Sequence, residues 1–201
     1  MLGSLTDDVY SRQGSLSLYI PKSVTVVGVG GVGFWLGLEL AMVGVPQLNL
    51  IDPDSVEEHN LNRLPIPKGM IGRAKVDVLA MLIKSLREHC IITKHPYKAD
   101  SDVLDMLGHE VICDCTDSFR FQRQLGQYCA DKRVEYVRAG YDGTHYTVTS
   151  NVLSTWDVDE DEPDGYTVVP SFVGSAVKAA TDALIKIAYS NRMEISRYIY
   201  E

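Results

Sequence analysis

The chain has 201 residues, 45% of them hydrophobic and 23% charged, the composition of a globular domain large enough to bury its own core. Its net charge of −8, with acids crowded between residues 157 and 164, argues against non-specific nucleic-acid binding. No apolar run reaches the length of a membrane span, because Glu39 interrupts the longest candidate, at 31–45.

The opening MLGSLTDDVYSRQGS carries acids and no basic start before an apolar segment, so no signal peptide is expected and a cytoplasmic location is. Residues 1–22 read as an N-terminal arm with one short helix near 7–13. Residues 23–201 read as a single domain.

Strands and helices then alternate. Strands are predicted at 24–29, 47–52, 90–95, 110–114, 135–139 and 146–153, with a final one at 195–200. Helices are predicted at 31–44, 74–88, 101–107, 118–131 and 175–190. The second has the stripe Leu79, Leu82, Ile83 and Leu86. Between 53 and 71, Pro65, Pro67 and Gly69 break any helix, and a structureless loop of that length predicts a functional segment or a lid. The acidic stretch at 154–169 reads as an exposed loop, either merely solvated or suited to a basic partner. The pattern predicts an α/β, Rossmann-like fold: a mainly parallel sheet with helices on both faces and additional antiparallel strands near the C-terminus.

Cys90, Cys113, Cys115 and Cys129 form no C-x-x-C pair. They are expected to be small buried hydrophobes, with no zinc site and no disulfide framework.

The densest signal runs from Ser23 to Asp54. A strand leads into Gly28, Gly30, Gly31 and Gly33, then an apolar helix, then a strand ending at Asp52. Glycines there let backbone amides approach a phosphate at the helix start, and a carboxylate at Asp52 suits a ribose hydroxyl. Asp54 and Asn60 follow in the next loop, then Arg63 in N-L-N-R and Lys75 in G-R-A-K-V. Strand four ends in D-C-T-D, giving Asp114 and Asp117. Arg63 and Lys75 offer positive charge to a triphosphate, and Asp117 offers a carboxylate to Mg²⁺. No G-x-x-x-x-G-K-[ST] is present, which excludes a P-loop. Each residue also has a plainer role open to it: solvated cations for Arg63 and Lys75, a helix cap for Asp117 or Ser118, a turn for Asn60.

Taken together, the motifs resemble the ThiF/MoeB/HesA group of ubiquitin-activating-enzyme-like adenylyltransferases. The resemblance rests on Tyr10–Gln13 (Y-x-R-Q), the G-x-G-G-x-G of Gly28–Gly33, and L-I-D-x-D at Leu50–Asp54. It continues through N-L-x-R ending at Arg63, Lys75 twelve residues on, D-C-T-D, and the P-x-x-x-G helix entry at Pro170 and Gly174. It implies ATP-dependent adenylylation of a carboxylate, typically the C-terminal Gly of a ubiquitin-like or sulfur-carrier protein. Gly28, Gly30, Gly31 and Gly33 would line ATP, with Asp54 and Asn60 completing the cofactor-binding set and Asp52 on the ribose. Arg63 and Lys75 would hold phosphates and Asp117 Mg²⁺, while Arg12 would reach the γ-phosphate from the other subunit of a homodimer.

Three departures stand against the family pattern. The zinc-binding cysteine pairs are absent, so zinc is not expected. No cysteine falls between Asn151 and Pro170, so a thioester step is not expected. The Asn usually found after the metal-binding Asp is Ser118, and an Arg expected five residues past that Asp is Gln122; Arg120 and Arg123 fall on other helix faces. Three further readings stay open: adenylylation of a small-molecule or tRNA-linked carboxylate, an NAD-dependent dehydrogenase, and a non-catalytic carrier-binding subunit.

Overall fold

The computed structural model describes residues 8–150, 170–189 and 195–198; the expected acidic loop at 154–169 lies outside the described residues. Seven strands form one sheet in the order β3-β2-β1-β4-β5-β6-β7. They are β1 (Ser23–Val27), β2 (Gln47–Ile51), β3 (Ile91–His95), β4 (Val111–Asp114), β5 (Glu135–Tyr141), β6 (His145–Thr149) and β7 (Ile195–Tyr198). Strands β1 to β5 run parallel; β6 pairs antiparallel with β5, and β7 antiparallel with β6. The expected α/β architecture is therefore the observed one, including the antiparallel C-terminal strands.

The helices are α1 (Gly31–Val43), α2 (Lys75–Leu86), α3 (Ser101–Asp105), α4 (Phe119–Lys132) and α5 (Val173–Ala188). Alternation of side chains along the strands divides the core in two. Val24, Val26, Leu48 and Leu50 face α1, α2 and α5. Val27, Ile51 and Ile112 face α3 and α4, meeting Val103, Leu104, Leu125 and Cys129. Apart from Glu39, helix α1 is apolar all round, walled in by the sheet, α2 and α5, and Gly37 admits Leu79 of α2 at close range. Gly44 ends α1 with φ 106°, a left-handed cap that L side chains rarely adopt.

The structure corrects several details. The 53–71 segment is not structureless: Glu58–Asn62 and Lys68–Met70 are 3₁₀ turns. A bridge between Ser55 and Ala74 closes its base, and Val56 and Leu64 are buried anchors. Leu86, expected inward, is 48% exposed because α2 is ending there. Strand β3 begins at Ile91 rather than 90, since the Cys90 amide is spent on the Arg87 carbonyl. Strand β5 runs on to Tyr141, paired with Tyr146 of β6. The N-terminal helix is a single 3₁₀ turn, Asp8–Tyr10. All four cysteines are free; Cys90, Cys113 and Cys129 are buried and burial pushes each thiol up, leaving them unreactive.

Candidate active site

Strand β1 pairs with β2 on one side and β4 on the other, so the chain reverses direction across the sheet at this point. A crevice at the carboxyl ends of such strands is where α/β sheets bind ligands. The glycine turn follows β1, Asp52 follows β2, and D-C-T-D closes β4. All three meet there.

The four glycines do different jobs. Gly28 has φ 86°, and a Cβ on it would lie 2.7 Å from the Cys115 carbonyl oxygen, so β4's exit requires glycine. A Cβ on Gly33 would collide with the Gly28 carbonyl, and one on Gly31 with the Tyr141 hydroxyl. Gly30, the residue that opens α1, would meet nothing within 4 Å. No packing demand of the described residues accounts for Gly30. It sits at a helix N-terminus where free amides favour an anion.

Asp52 is 5% exposed and ties the turn to β2. Its Oδ2 accepts the Val29 amide at 2.5 Å and its Oδ1 the Asp54 amide at 2.8 Å. Burial raises its pKa, opposed by the charge of Lys75 and by those two amides. Each oxygen keeps a second lone pair for a ligand hydroxyl.

Lys75, the first residue of α2, is 8% exposed, and its Nζ donates to Asp54 Oδ2 at 2.7 Å. Arg63 is half-buried. Its Nη1 donates to the His59 carbonyl at 2.9 Å and to Asn62 Oδ1 at 3.0 Å, while its buried Nε has no partner among the described residues. Trp35 of α1 fixes Arg63 in place by donating Nε1 to its carbonyl at 2.8 Å. Asn60 is buried, and its Oδ1 accepts the Glu57 amide at 2.9 Å, holding the 3₁₀ turn that presents Arg63.

Of the two carboxylates in D-C-T-D, Asp114 is fully buried. Its Oδ1 accepts from the Thr116 amide and hydroxyl, its Oδ2 accepts from Tyr136 Oη at 2.8 Å, and burial raises its pKa. Asp117 is exposed, and no described side chain pairs with it. Ser118 caps α4 by accepting the Phe121 amide at 3.4 Å. Gln122 is 4% exposed; its Nε2 donates to the Thr116 carbonyl at 2.6 Å and its Oε1 accepts from Arg138 Nε at 2.7 Å. Arg120 and Arg123 are exposed.

Arg12 is not brought to this crevice. Its neighbours Tyr10 and Gln13 pack at the other end of α1, Tyr10 against Gly44 and Gln13 Nε2 on the Val43 carbonyl at 2.7 Å. Thirteen helical residues separate the two ends of α1, roughly 20 Å.

Three residues at the crevice were not singled out from sequence. Tyr141 packs on Gly31 and shares a hydrogen bond of 2.6 Å with Ser171, whose carbonyl accepts from Asn62 at 3.4 Å. Arg138 is the third. An arginine among the uncharged residues that follow Glu135 in β5 is the one signal the sequence carried for it.

No group of three or more His, Cys, Asp or Glu suited to a metal occurs among the described residues. The Asp117 carboxylate fits Mg²⁺ in the manner in which phosphate-bound Mg²⁺ uses one or two protein carboxylates.

The chain is 29% identical over 147 residues to the tRNA threonylcarbamoyladenosine dehydratase of Haemophilus influenzae, covering 67% of this chain and 56% of that protein. It is 33% identical over 117 residues to the molybdopterin-synthase adenylyltransferase of Salmonella typhimurium, covering 57% of this chain and 47% of that one. The chain thus spans about half the length of the curated relatives it matches. Among solved structures, E. coli MccB with ATP superposes with a TM-score of 0.72 at 18% identity, over 88% of this chain and 63% of that one, a likeness of fold. The sequence profile of the ThiF family matches residues 19–174, which takes in the glycine turn, Asp52, Arg63, Lys75 and D-C-T-D in one alignment. On that match, and with the crevice built from those same residues, this chain belongs to the ThiF family.

Proposed function

We propose that the chain binds ATP across the carboxyl ends of β1, β2 and β4 and adenylylates a carboxylate, the C-terminal Gly of a ubiquitin-like or sulfur-carrier protein. The observation that carries this reading is Gly30. It leaves a side-chain-free approach to the α1 N-terminus, with buried Lys75 and half-buried Arg63 nearby in the chain fold. Support comes also from relatives named as adenylyltransferases and from a structural neighbour solved with ATP.

In the proposed reaction a carboxylate oxygen attacks the α-phosphorus, the bond to the bridging oxygen breaks, and pyrophosphate leaves. A terminal carboxylate is already ionised at pH 7, so the protein need not supply a base. Its task is alignment and charge neutralisation. The α1 amides around Gly30 would hold phosphate oxygens. Asp52 would hold the ribose. Lys75, with one N–H on Asp54 and two to spare, and Arg63 would neutralise the leaving pyrophosphate. Asp117 would hold Mg²⁺, which when bound screens the phosphate charge. In a homodimer, Arg12 would complete the partner's site.

ATP–pyrophosphate exchange tests the assignment. Lys75→Ala is expected to lower exchange by roughly 10²–10³-fold, the scale of losing one preorganised electrostatic group. Exchange unchanged in Lys75→Ala overturns it.

A second reading, adenylylation of a tRNA-linked carboxylate, is favoured by the Haemophilus influenzae relative's name and opposed by the net charge of −8. Exchange stimulated by tRNA rather than by carrier proteins would select it.

A further inference from the structure

Arg138 is a buried cation that the proposed chemistry does not use. It lies on β5, in register with Asp114 of β4, and is 8% exposed. Burying a guanidinium is costly unless its donors are met with good geometry. Two of them are met by an ordered chain of described residues. Nη1 donates to Thr147 Oγ1 of β6 at 3.1 Å, and the cation lies over the Phe119 ring with its carbon 5.9 Å from the centroid. Nε donates to Gln122 Oε1 at 2.7 Å, which fixes the orientation of the amide. With its oxygen on Arg138, the Gln122 amide must turn its Nε2 outward, and that atom donates to the Thr116 carbonyl at 2.6 Å. The next residue is Asp117.

The other side of the same turn is held by Asp114, which takes both the amide and the hydroxyl of Thr116. The peptide leading into Asp117 is thus gripped through its carbonyl as well as through the residue before it. Asp117 itself is exposed with no described side-chain partner, so its direction is set by the backbone on either side, this turn before it and the Ser118 cap of α4 after it.

We propose that Arg138 is a positioning residue for the nucleotide site, acting through Gln122 on the Thr116 carbonyl to aim Asp117 at the metal-bound phosphates. The inference rests on the ATP reading above. It differs from it in naming a relay that spans β5, α4 and the β4 exit. Residues that orient a metal ligand in this way typically contribute about 10–100-fold to metal affinity.

Two substitutions separate the relay from a role in folding alone. Arg138→Lys keeps the charge but loses the Nε donor. Gln122→Glu keeps an acceptor for Arg138, now a charged one, and removes the donor to Thr116. Calorimetric titration with ATP, with and without Mg²⁺, supplies the readout, with thermal unfolding of each variant alongside. Both variants are expected to lose about 10-fold or more of the affinity gained on adding Mg²⁺, while metal-free ATP binds as before. Should Arg138→Lys fail to fold, Gln122→Glu carries the test alone. A Gln122→Glu protein that binds Mg–ATP like the unsubstituted chain overturns the relay. So does an equal loss of metal-free and metal-bound ATP that follows a lowered Tm. Failure of the unsubstituted chain to bind ATP has a different signature and removes the nucleotide reading together with this one.

Discussion

Gly30 and Gly33 are three residues apart in the same motif, yet the structure asks opposite things of them. An alanine methyl at Gly33 would meet the Gly28 carbonyl, whereas one at Gly30 would meet open space. Gly33→Ala is therefore a packing change, expected to cost about 1–3 kcal/mol of stability, the range for overfilling a tight contact. Gly30→Ala should leave urea unfolding within about 0.5 kcal/mol of the parent. Its effect should appear in ATP affinity, lowered roughly 10-fold as the methyl pushes phosphate off the helix amides. A Gly30→Ala protein that binds ATP normally would show that the phosphates lie elsewhere. The pattern G-x-G-G-x-G made all four glycines legible as a turn. It did not rank them, because the atoms that demand glycine at Gly28 and Gly31 belong to Cys115 and Tyr141, more than eighty residues downstream, and the Gly28 carbonyl comes against Gly33 only in the folded turn.

At the scale of elements, α1 packs against α5, and an ionisable side chain, Glu39, takes part in the contact. Glu39 Oε1 accepts from Thr181 Oγ1 at 2.8 Å, and its buried Oε2 has no partner among the described residues. Burial raises the carboxyl from its ordinary 4.5 to about 6, against the opposing pull of Thr181. A pKa raised in the folded state means that folding favours the protonated form. The stabilisation is complete below the unfolded value of 4.5 and is lost as pH rises through about 6. The shift corresponds to at most about 2 kcal/mol, which solvent screening of this partly exposed group reduces to ~1 kcal/mol. Glu39→Gln should remove that slope and be the more stable protein at pH 7, read from urea midpoints at pH 4.5 and 7; an unchanged slope would place its origin elsewhere. Sequence showed Glu39 only as an interruption in an apolar run, since its partner is 142 positions away. The strands were legible for the converse reason: runs such as Val24–Val27 and Leu48–Ile51 carry their burial in their own composition. The 53–71 loop was not, because the Val56–Arg73 and Gly72–Val56 backbone bonds that close it leave no mark on side-chain pattern.

For the whole molecule, the residues of the motif set divide into two places. Gly30, Asp52, Arg63, Lys75 and Asp117 belong to the crevice, and Arg12 to the arm packed at the far end of α1. Moving Arg12 into its own crevice would require stripping Tyr10 from Gly44 and from its cation–π contact with Arg87, and Gln13 from the Val43 carbonyl. In the proposed homodimer, a second copy would supply its arm to this crevice from across a two-fold axis instead. If the active species is that homodimer, Arg12→Ala and Lys75→Ala damage different halves of a shared site. Each variant alone should be nearly inactive in pyrophosphate exchange. In an equimolar mixture allowed to exchange subunits, half of the dimers are mixed, and each mixed dimer contains one site with both residues intact. Exchange should therefore recover to about a quarter of the unsubstituted rate, because two-fold symmetry gives every dimer two such sites. Recovery must also depend on subunit exchange, appearing slowly after mixing and not at all between variants cross-linked beforehand as separate homodimers. No recovery, with both variants folded and dimeric by sedimentation, would mean that Arg12 works within its own chain or not in this reaction.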